Sequence, residues 1–491
     1  MTMEKVQDIL TGLAVVKPST HSAAKAYDAS IRQHLASLNS STSEIGPVVL
    51  TKTKEILETL DPSLHSISYL FVLQTLMESA HSDAPMPVKL LLDATVNFLH
   101  NFDPLQTRYV GQSLRILLEK VGSGQLFSAS TAVELLDAAI LRIDPTGSMF
   151  TSTHLMLAQL AHNSHSVEAA LSALDRDILF YPHSLNTREN SVLCDPSLPT
   201  TSYITTQTGL TDPVTITMVL EYNHLRGLRY ITRRDWIKAK EAFEQVISHP
   251  IKNRAVSKIM VESYRRWVLV ALLGQGRAPA LPSYATATAQ SAYKISGGAY
   301  NNVAEAFTAL DAEALKSHIQ ENATIWEEDG AWPLVHEVVS AYQKWQIVGL
   351  RQTHQRVEIS TVREMTLNAE TGKMSEDDDA ILTLIRQMME DGMLHGSSLE
   401  QDDSGIWYLA FSRDSLTEAE FAAQIAQSYH NIESISKQYK QMDDELSSSK
   451  DYVKFLAREQ KRAEKDGADA GLGFDSHIED EDLMSGSTYR P

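Results

Sequence analysis

The sequence is almost without cysteine, since Cys194 is the only one among 491 residues. A single thiol cannot form a disulfide within the chain, and secreted proteins of this length usually carry several disulfides. The sequence therefore predicts a reducing compartment, and we expect the protein in the cytoplasm and the nucleus.

Long hydrophobic runs and an excess of positive charge are also missing. No uninterrupted apolar stretch reaches the roughly 18 residues that suggest a membrane-spanning helix. The 43 lysines and arginines are outnumbered by 63 aspartates and glutamates, which gives a net charge of -20. Phosphate groups of nucleic acid and of anionic lipid would be repelled by such a chain. We expect no nucleic-acid partner and no membrane partner, and basic protein surfaces are the favoured contacts.

The sequence motifs of catalysis and cofactor binding are absent as well. There is no phosphate-binding G-x-x-x-x-G-K-[ST] loop and no G-x-S-x-G nucleophile elbow. The pair His336-Glu337 does not continue into an H-E-x-x-H zinc motif, because Ser340 occupies the position of the second histidine. His162 and His165 share a predicted helical face but lack the further ligands of a closed metal site. We predict no catalytic residue, no cofactor and no metal, and hence a protein that is not an enzyme.

Helical periodicity is what the sequence does contain. Apolar residues recur at spacings of three and four through segments such as Val88–Phe102 and Gln106–Val121, and Asp-Pro pairs separate these segments. The pattern predicts an all-α fold with one small α+β module. Residues 1–210 are expected to form N-terminal helical repeats that stack as a solenoid, and residues 211–330 to continue as repeats of the tetratricopeptide type.

Four residues carry the tetratricopeptide interpretation. Gly227 and Ala239 are small enough for two helices to approach closely, and Tyr230 and Phe243 can fill the space between those helices. An unrelated helical hairpin is the alternative. Under either interpretation these four residues serve packing and not chemistry.

Residues 331–412 differ in kind from the repeats. A long helix over Leu334–Gln355, a short β-type triplet and two further helices precede two strands, Met393–Leu399 and Ile406–Phe411. This order predicts a winged helix-turn-helix. Its second helix is preceded by three consecutive aspartates and contains a single basic residue, Arg386, so we do not expect it to bind DNA.

Residues 413–465 predict one long helix that packs against other helices. Its apolar residues fall on the a and d positions of a heptad repeat, with Ser428 and Ser449 as exceptions. We call these residues the a/d seam: Phe421, Ile425, Ile432, Ile435, Tyr439, Met442, Leu446, Val453 and Leu456. So narrow an apolar stripe requires a partner to cover it. Residues 466–491 are acidic and rich in glycine, and we expect a disordered acidic tail.

Helical repeats, a winged helix and a terminal helix, in this order, resemble the layout of PCI-domain subunits. Such subunits occur in the COP9 signalosome, the proteasome lid and a translation initiation complex. The chain is most similar to the COP9 signalosome subunit 3 family, and to fungal members of it, in three stretches: YNHLRGLRYITRRDWIKAKEAFEQVISHP at Tyr222–Pro250, AVSKIMVESYRRWVLVALLGQG at Ala255–Gly276, and VEISTVREMTLNAETGKMSEDDDAILTLIRQMMEDGMLHGSSL at Val357–Leu399.

The resemblance implies a non-catalytic scaffold subunit. In that family the complex removes a ubiquitin-like modifier from cullins and so regulates cullin-RING ubiquitin ligases, and the catalytic metal lies on a different subunit. The implied partners are the other PCI subunits, the metalloprotease subunit of the same complex and, indirectly, the ligases. A PCI scaffold subunit of the 26S proteasome regulatory lid is the alternative, because the two families share their architecture.

Two interfaces follow from the resemblance. Strand Ile406–Phe411, with Trp407, Leu409 and Phe411, is predicted to present an exposed edge that pairs with a strand of a neighbouring subunit. The a/d seam is predicted to contact the other terminal helices in a bundle, above all through the stretch from Phe421 to Leu446. The alternative for both is that these apolar residues pack within the chain itself.

Overall fold

The structure, a computed structural model, describes residues 2–13, 21–79, 88–166, 168–182, 192–250, 256–411, 418–448 and 450–469. In these ranges helices dominate and one sheet of three strands occurs, which confirms the predicted fold class. The chain divides into two units, Met1–Asp414 and Ser415–Pro491, and each is described by itself.

The first part of the larger unit is a succession of helices that range from 4 to 31 residues in length. Their bounds are α1 Met3–Leu10, α2 His21–Thr51, α3 Thr53–Thr59, α4 Ser66–Ser79, α5 Val88–Asn101, α6 Pro104–Thr107, α7 Gly111–Gly122, α8 Ala129–Ile143, α9 Ser152–Ser164, α10 Leu171–Leu174 and α11 Thr200–Tyr203. One continuous core joins them, with Phe98, Leu117 and Leu136 at its centre, each no more than 1% exposed. This core reaches to Leu225, beyond the boundary predicted at residue 210.

The second part of the larger unit has eight helices in the described residues and a core of its own. Its bounds are α12 Ile216–Thr232, α13 Trp236–Ile247, α14 Lys258–Gln275, α15 Ala287–Ser296, α16 Gly298–Thr308, α17 Ala312–Glu321, α18 Ala323–Glu328 and α19 Trp332–Leu350. Trp267, Tyr293 and Trp326 fill this core almost without exposure. The core runs from Leu220 to Ala369, so the first half of α19 belongs to it and not to the winged helix.

Local capping explains where many of these helices begin. The side chains of Thr215, Asp235 and Ser257 accept hydrogen bonds from backbone N–H groups in the first turns of α12, α13 and α14. These groups have no partner inside the helix, so a side-chain oxygen at the N-cap stabilises the start by about 1 kcal/mol. At the other end of α14, Gly276 adopts a φ of 66°, which a glycine tolerates without strain.

The winged helix completes the larger unit. It consists of β1 Arg356–Glu358, α20 Ile359–Met365, α21 Asp378–Glu390, β2 Ser397–Gln401 and β3 Trp407–Phe411. The strands are antiparallel and lie in the order β1-β3-β2. Their inner face packs on Ile347, Ile359 and Ile385, which belong to a third core.

In the smaller unit, helix is described on both sides of Ser449, which itself lies outside the described residues. α22 spans Glu418–Ser448 and α23 spans Lys450–Asp469. α23 also continues through residues 466–469, which the sequence assigned to the disordered tail. The rest of that predicted tail, 470–491, lies outside the described residues.

Candidate assembly interface

The predicted repeat pair is formed by α12 and α13, and its four marker residues meet inside it. A Cβ placed on Gly227 would lie 2.5 Å from the Cε1 and Cζ atoms of Phe243. Tyr230, Ala239 and Phe243 are buried. A larger residue at position 227 would collide with the Phe243 ring, so the close approach of the two helices depends on glycine. These residues build the scaffold and present nothing to a ligand.

Tyr230 also fixes this helix pair to the repeats before it. Its hydroxyl donates to Asp175 Oδ1 at 2.8 Å, and Lys238 Nζ donates to Asp175 Oδ2 at 3.0 Å. Partial burial opposes ionisation of Asp175, but the two donors outweigh it and hold the pKa of this carboxyl below its ordinary value. The contact therefore joins the N-terminal repeats to the second group of helices.

Buried arginines are a feature that the sequence did not reveal. The guanidinium of Arg108 stacks 3.5 Å from the centroid of the Tyr203 ring and donates to the carbonyls of Leu193 and Asp195 at 2.8 and 3.0 Å. Arg226 is likewise buried, beside two tyrosine rings. Cations paired with carbonyls and π faces are compatible with burial, and they hold the loops between helices in place.

The prediction of an exposed edge at Ile406–Phe411 is wrong. β3 lies in the middle of the sheet, paired with β1 on one side and β2 on the other. Leu409 is fully buried and Phe411 is 6% exposed, while Trp407 is partly buried against the same core. The apolar residues of β3 therefore pack inside the winged helix, as the alternative interpretation allowed.

The sheet has two edge strands, β1 and β2, and β2 is the longer of them. Asp402 N–H donates to the carbonyl of Ile406 at 3.1 Å, which closes the β2–β3 turn with a hydrogen-bonded pair. Because hydrogen-bonded and non-hydrogen-bonded pairs alternate in an antiparallel ladder, Ser398 and Glu400 bond to β3. Leu399 lies between these two residues, so its N–H and C=O point away from β3. Among the described residues no strand pairs with this side of β2.

The charges on the winged helix oppose DNA binding, as the sequence indicated. Asp377 caps α21, and Asp378 forms an ion pair of 2.9 Å with Arg363. Arg386, the one basic residue in the sequence of α21, lies over the Trp407 ring at 5.7 Å from its centroid. The face that would enter a major groove thus carries acidic groups, and its cation is engaged by an aromatic ring.

The a/d seam is exposed along its whole described length. Exposure ranges from 41% for Met442 to 68% for Tyr439, and Phe421, Ile425 and Ile432 all lie within this range. The same holds for the other seam residues: Ile435, Leu446, Val453 and Leu456. None of these side chains belongs to a hydrophobic core of the described residues. So large a row of exposed apolar side chains on one helix face marks a contact surface.

Two further aromatic residues are exposed outside the predicted positions of α22 and α23. Tyr429 is 70% exposed and Phe455 is 54% exposed, and neither falls on an a or d position. The Phe455 ring stacks with that of Tyr452 at a centroid distance of 6.5 Å. A search restricted to a and d positions does not find such residues, but large aromatic side chains on a polar helix are candidates for a contact surface by their size alone.

The described residues contain no group of three or more histidine, cysteine or acidic side chains arranged to hold a metal ion. His162, one of the two histidines considered from the sequence, contacts the guanidinium of Arg229. Burial and this cation lower its pKa. None of the helices in the described ranges has both the length and the apolar character required to cross a bilayer.

Comparison with known proteins identifies the family. The sequence model described as the N-terminal helical repeats of COP9 signalosome complex subunit 3 matches residues 29–289. The COP9 signalosome complex subunit 3 of Neurospora crassa is 32% identical over 97% of this chain and 98% of its own length. The proteins of the same name from Emericella nidulans and Dictyostelium discoideum are 29% and 23% identical over 98% and 82% of this chain, and over 99% and 87% of their own lengths.

The two relatives with the higher identities are fungal, which supports a fungal origin. The matched region includes α12 and α13 with their glycine-to-phenylalanine contact, so the helical repeats of the structure coincide with those of the family. The match also favours the signalosome over the proteasome lid, the alternative left open by architecture alone. The chain belongs to the COP9 signalosome complex subunit 3 family.

Proposed function

We propose that this chain is a non-catalytic scaffold subunit of the COP9 signalosome, and that it supports removal of a ubiquitin-like modifier from cullins. Through that reaction it would regulate cullin-RING ubiquitin ligases. The observation that carries the proposal is the exposed a/d seam on a chain whose relatives are named as subunits of this complex. A row of apolar side chains in water is costly for an isolated protein and is expected of one subunit of an assembly.

The proposed partners are the other PCI subunits and, in the same complex, the metalloprotease subunit. Cullin-RING ligases are reached indirectly, and neither nucleic acid nor a membrane is included. The acidic first turn of α21 and the net charge of -20 support the exclusion of nucleic acid. A cytoplasmic and nuclear location belongs to the proposal as well, supported by the single cysteine, whose thiol donates to the carbonyl of Ala24.

Two contacts are proposed for assembly. The a/d seam of α22 and α23 packs against the terminal helices of other subunits, and the outer edge of β2 pairs with a strand of a neighbouring winged helix. The second contact replaces the predicted edge at β3. It needs only backbone groups, so the polar sequence Ser-Ser-Leu-Glu-Gln of β2 is compatible with it.

The test of the whole proposal is a native pull-down of the tagged full chain followed by mass spectrometry. We expect recovery of the other PCI subunits and the metalloprotease subunit, together with an activity that removes the modifier from cullins. Recovery of proteasome lid and base subunits would assign the chain to the other complex. Recovery of the chain alone would contradict the scaffold function.

The β2 edge makes a separate prediction, for which one position provides both variant and control. Leu399→Pro removes the outward N–H and adds a ring on that side, but it leaves the β3 ladder intact because the Leu399 N–H does not bond to β3. We expect recovery of the neighbouring winged-helix subunit to fall at least about tenfold, the effect of roughly 1.4 kcal/mol. Leu399→Ala shortens the same side chain, keeps the N–H, and should retain the partner.

The measurement is quantitative mass spectrometry of the pull-down, with urea unfolding of both variants as a check on the fold. Equal recovery with Leu399→Pro and Leu399→Ala, at equal stability, would show that β2 is not a pairing edge. A loss of the partner in both variants would point to the Leu399 side chain instead of the backbone.

A further inference from the structure

α23 carries a row of positive charges in a strongly acidic protein. Lys454, Arg458 and Lys461 are exposed and follow one another at spacings of four and three residues, so they share one face of the helix. We call these three residues the basic stripe. No carboxylate of the described residues lies within ion-pair distance of them.

The basic stripe lies on the side of the helix opposite the a/d seam. In the heptad that places Val453 at an a position and Leu456 at a d position, Lys454 and Lys461 are at b and Arg458 is at f. The b and f positions face away from a bundle. Partner helices that cover the seam would therefore leave the basic stripe accessible.

The stripe stands out from the rest of the smaller unit. The sequence of α22 contains two lysines against six acidic residues, and one of those lysines, Lys437, is paired with Glu433 at 2.9 Å. An acidic ligand would thus meet its strongest attraction in this unit at α23.

The chain contains such a ligand immediately after the helix. Residues 470–491 include Asp475 and the four consecutive acidic residues Glu479–Asp482, with Arg490 as the one lysine or arginine. From Asp469 to Glu479 an extended chain can span about 33 Å. The distance back along α23 from Asp469 to Lys454 is about 22 Å at 1.5 Å per residue. The segment is long enough to return to the stripe.

We propose that the acidic segment Glu479–Asp482 docks on the basic stripe of α23 in the same chain. Four carboxylates opposite three cations supply the charge complementarity, and the short connection keeps their effective concentration high. Ion pairs at an exposed surface are individually weak, so the contact is reversible and sensitive to salt. It occupies the outer face of the helix and does not depend on whether the seam is covered.

Zero-length carbodiimide cross-linking of the purified full chain tests the proposal, because it joins only amines and carboxylates that are in contact. At low salt we expect peptides linking Lys454 or Lys461 to Glu479–Asp482 at least tenfold more often than peptides linking Lys440 to them. Lys440 is the matched control, since it lies at a b position of α22, 14 residues before the stripe. The links should disappear at about 0.5 M salt, where screening is effective within a few ångströms.

A tail variant with Glu479→Gln, Asp480→Asn, Glu481→Gln and Asp482→Asn should abolish the remaining links of Lys454 and Lys461 to this region. Arg458→Gln removes the middle cation without removing a reactive amine and should lower the yield at both lysines. Neither change alters an apolar residue, so both variants should unfold at the same urea concentration as the original chain.

Three results would overturn the proposal. Equal linking of Lys440 and the stripe would mean that the segment contacts lysines without preference. Links only between isotopically labelled and unlabelled chains would assign the stripe to a second copy. A stripe linked only to carboxylates of co-purified subunits would make it a contact for an acidic partner instead.

Discussion

The double variant Ile432→Glu and Tyr439→Glu is expected to be lost from the assembly while Met1–Asp414 stays folded. Both residues lie on the a/d seam, and in the single chain Ile432 is 65% exposed and Tyr439 is 68% exposed. Since neither side chain supports the structure of the larger unit, the substitution affects only a surface that a partner covers. Recovery of other subunits in a native pull-down is the measured quantity.

The size of this effect follows from what burial in a helix bundle requires. Covering one such side chain contributes roughly 1.5–3 kcal/mol, and a carboxylate in its place must be desolvated without a counter-charge. Loss of both contacts therefore exceeds about 3 kcal/mol, and recovery should fall at least about 100-fold. The control is Ser434→Glu with Ser447→Glu, which adds the same two charges at the exposed c and b positions of α22.

The control separates the seam from a general effect of charge. We expect the serine variant to co-purify at full stoichiometry, because its carboxylates face away from the bundle. Full recovery of the Ile432 and Tyr439 variant would contradict the bundle assignment. Equal loss in both variants would mean that α22 contributes through its total charge and not through its apolar face.

The a/d seam could be predicted from sequence because a heptad repeat is local. The spacing from Ile432 through Ile435 to Tyr439 determines which side chains share a face, and nothing remote in the chain alters it. The same reasoning explains why the contact of Gly227 with Phe243 could be anticipated, since the two residues lie on consecutive helices joined by a short turn.

The position of β3 could not be predicted in the same way. β2 and β3 are adjacent in sequence, which predicts a hairpin. In a hairpin alone, β3 would be an edge strand unless another strand pairs with its free side. That strand is β1, whose three residues precede β3 by about 50 residues and show no alternation of their own. Strand order is a property of tertiary packing, so the interface that we propose lies at Leu399 on β2 and not at Leu409 on β3.

The burial of several ionisable groups could not be predicted from the sequence either. From the sequence alone, Arg108 and Arg226 are expected at the surface, since arginine is seldom buried. The carbonyl partners of Arg108 lie about 85 residues away in the sequence. Arg226 lies beside Tyr222 and Tyr230, four residues before and after it on the same helix, but that spacing does not reveal that this helix face is buried. The same applies to the buried histidines His154 and His224, which we expect to contribute to the response of the protein to acid.

The larger unit is expected to lose stability between pH 6.5 and pH 4, because His154 and His224 are neutral in the folded protein. Burial lowers the pKa of each to about 4, and nearby cations, Arg226 for His154 and Arg266 for His224, act in the same direction. Asp144 and Glu262 oppose the shift without reversing it.

Hydrogen bonding supports the neutral form of His154 in particular. The backbone N–H of Thr151 donates to its Nδ1 at 3.2 Å, as part of the capping box that begins α9. Nδ1 must therefore act as an acceptor, and the proton sits on Nε2. Protonation of Nδ1 would break the cap at the start of the helix. His224 Nδ1 lies 2.8 Å from the hydroxyl of Ser263, also in a buried contact.

The sign of the effect follows from which state binds protons first. As pH falls through about 6.5, the ordinary value for histidine, the unfolded chain takes up a proton at each site and the folded protein does not. Stability is therefore present above pH 6.5, is lost as pH falls, and stops falling below the folded pKa of about 4. At pH 5 each histidine costs about 2 kcal/mol, so the pair costs about 4 kcal/mol.

Urea unfolding of the full chain at pH 7.5 and pH 5.0 measures this difference, and the double variant His154→Asn with His224→Asn isolates its source. Asparagine retains an acceptor near the position of Nδ1 but does not titrate, so the variant should lose most of the 4 kcal/mol dependence even if it is less stable at pH 7.5.

The control His100→Asn replaces an exposed histidine of α5 and should leave the dependence unchanged. An unaltered dependence in the double variant would show that acid acts on the repeats through groups other than these two. Because His154 lies in the first turn of α9, its ring contacts that of Tyr222 on α12, and His224 also lies on α12, the pH profile reports the region where the two groups of helices meet.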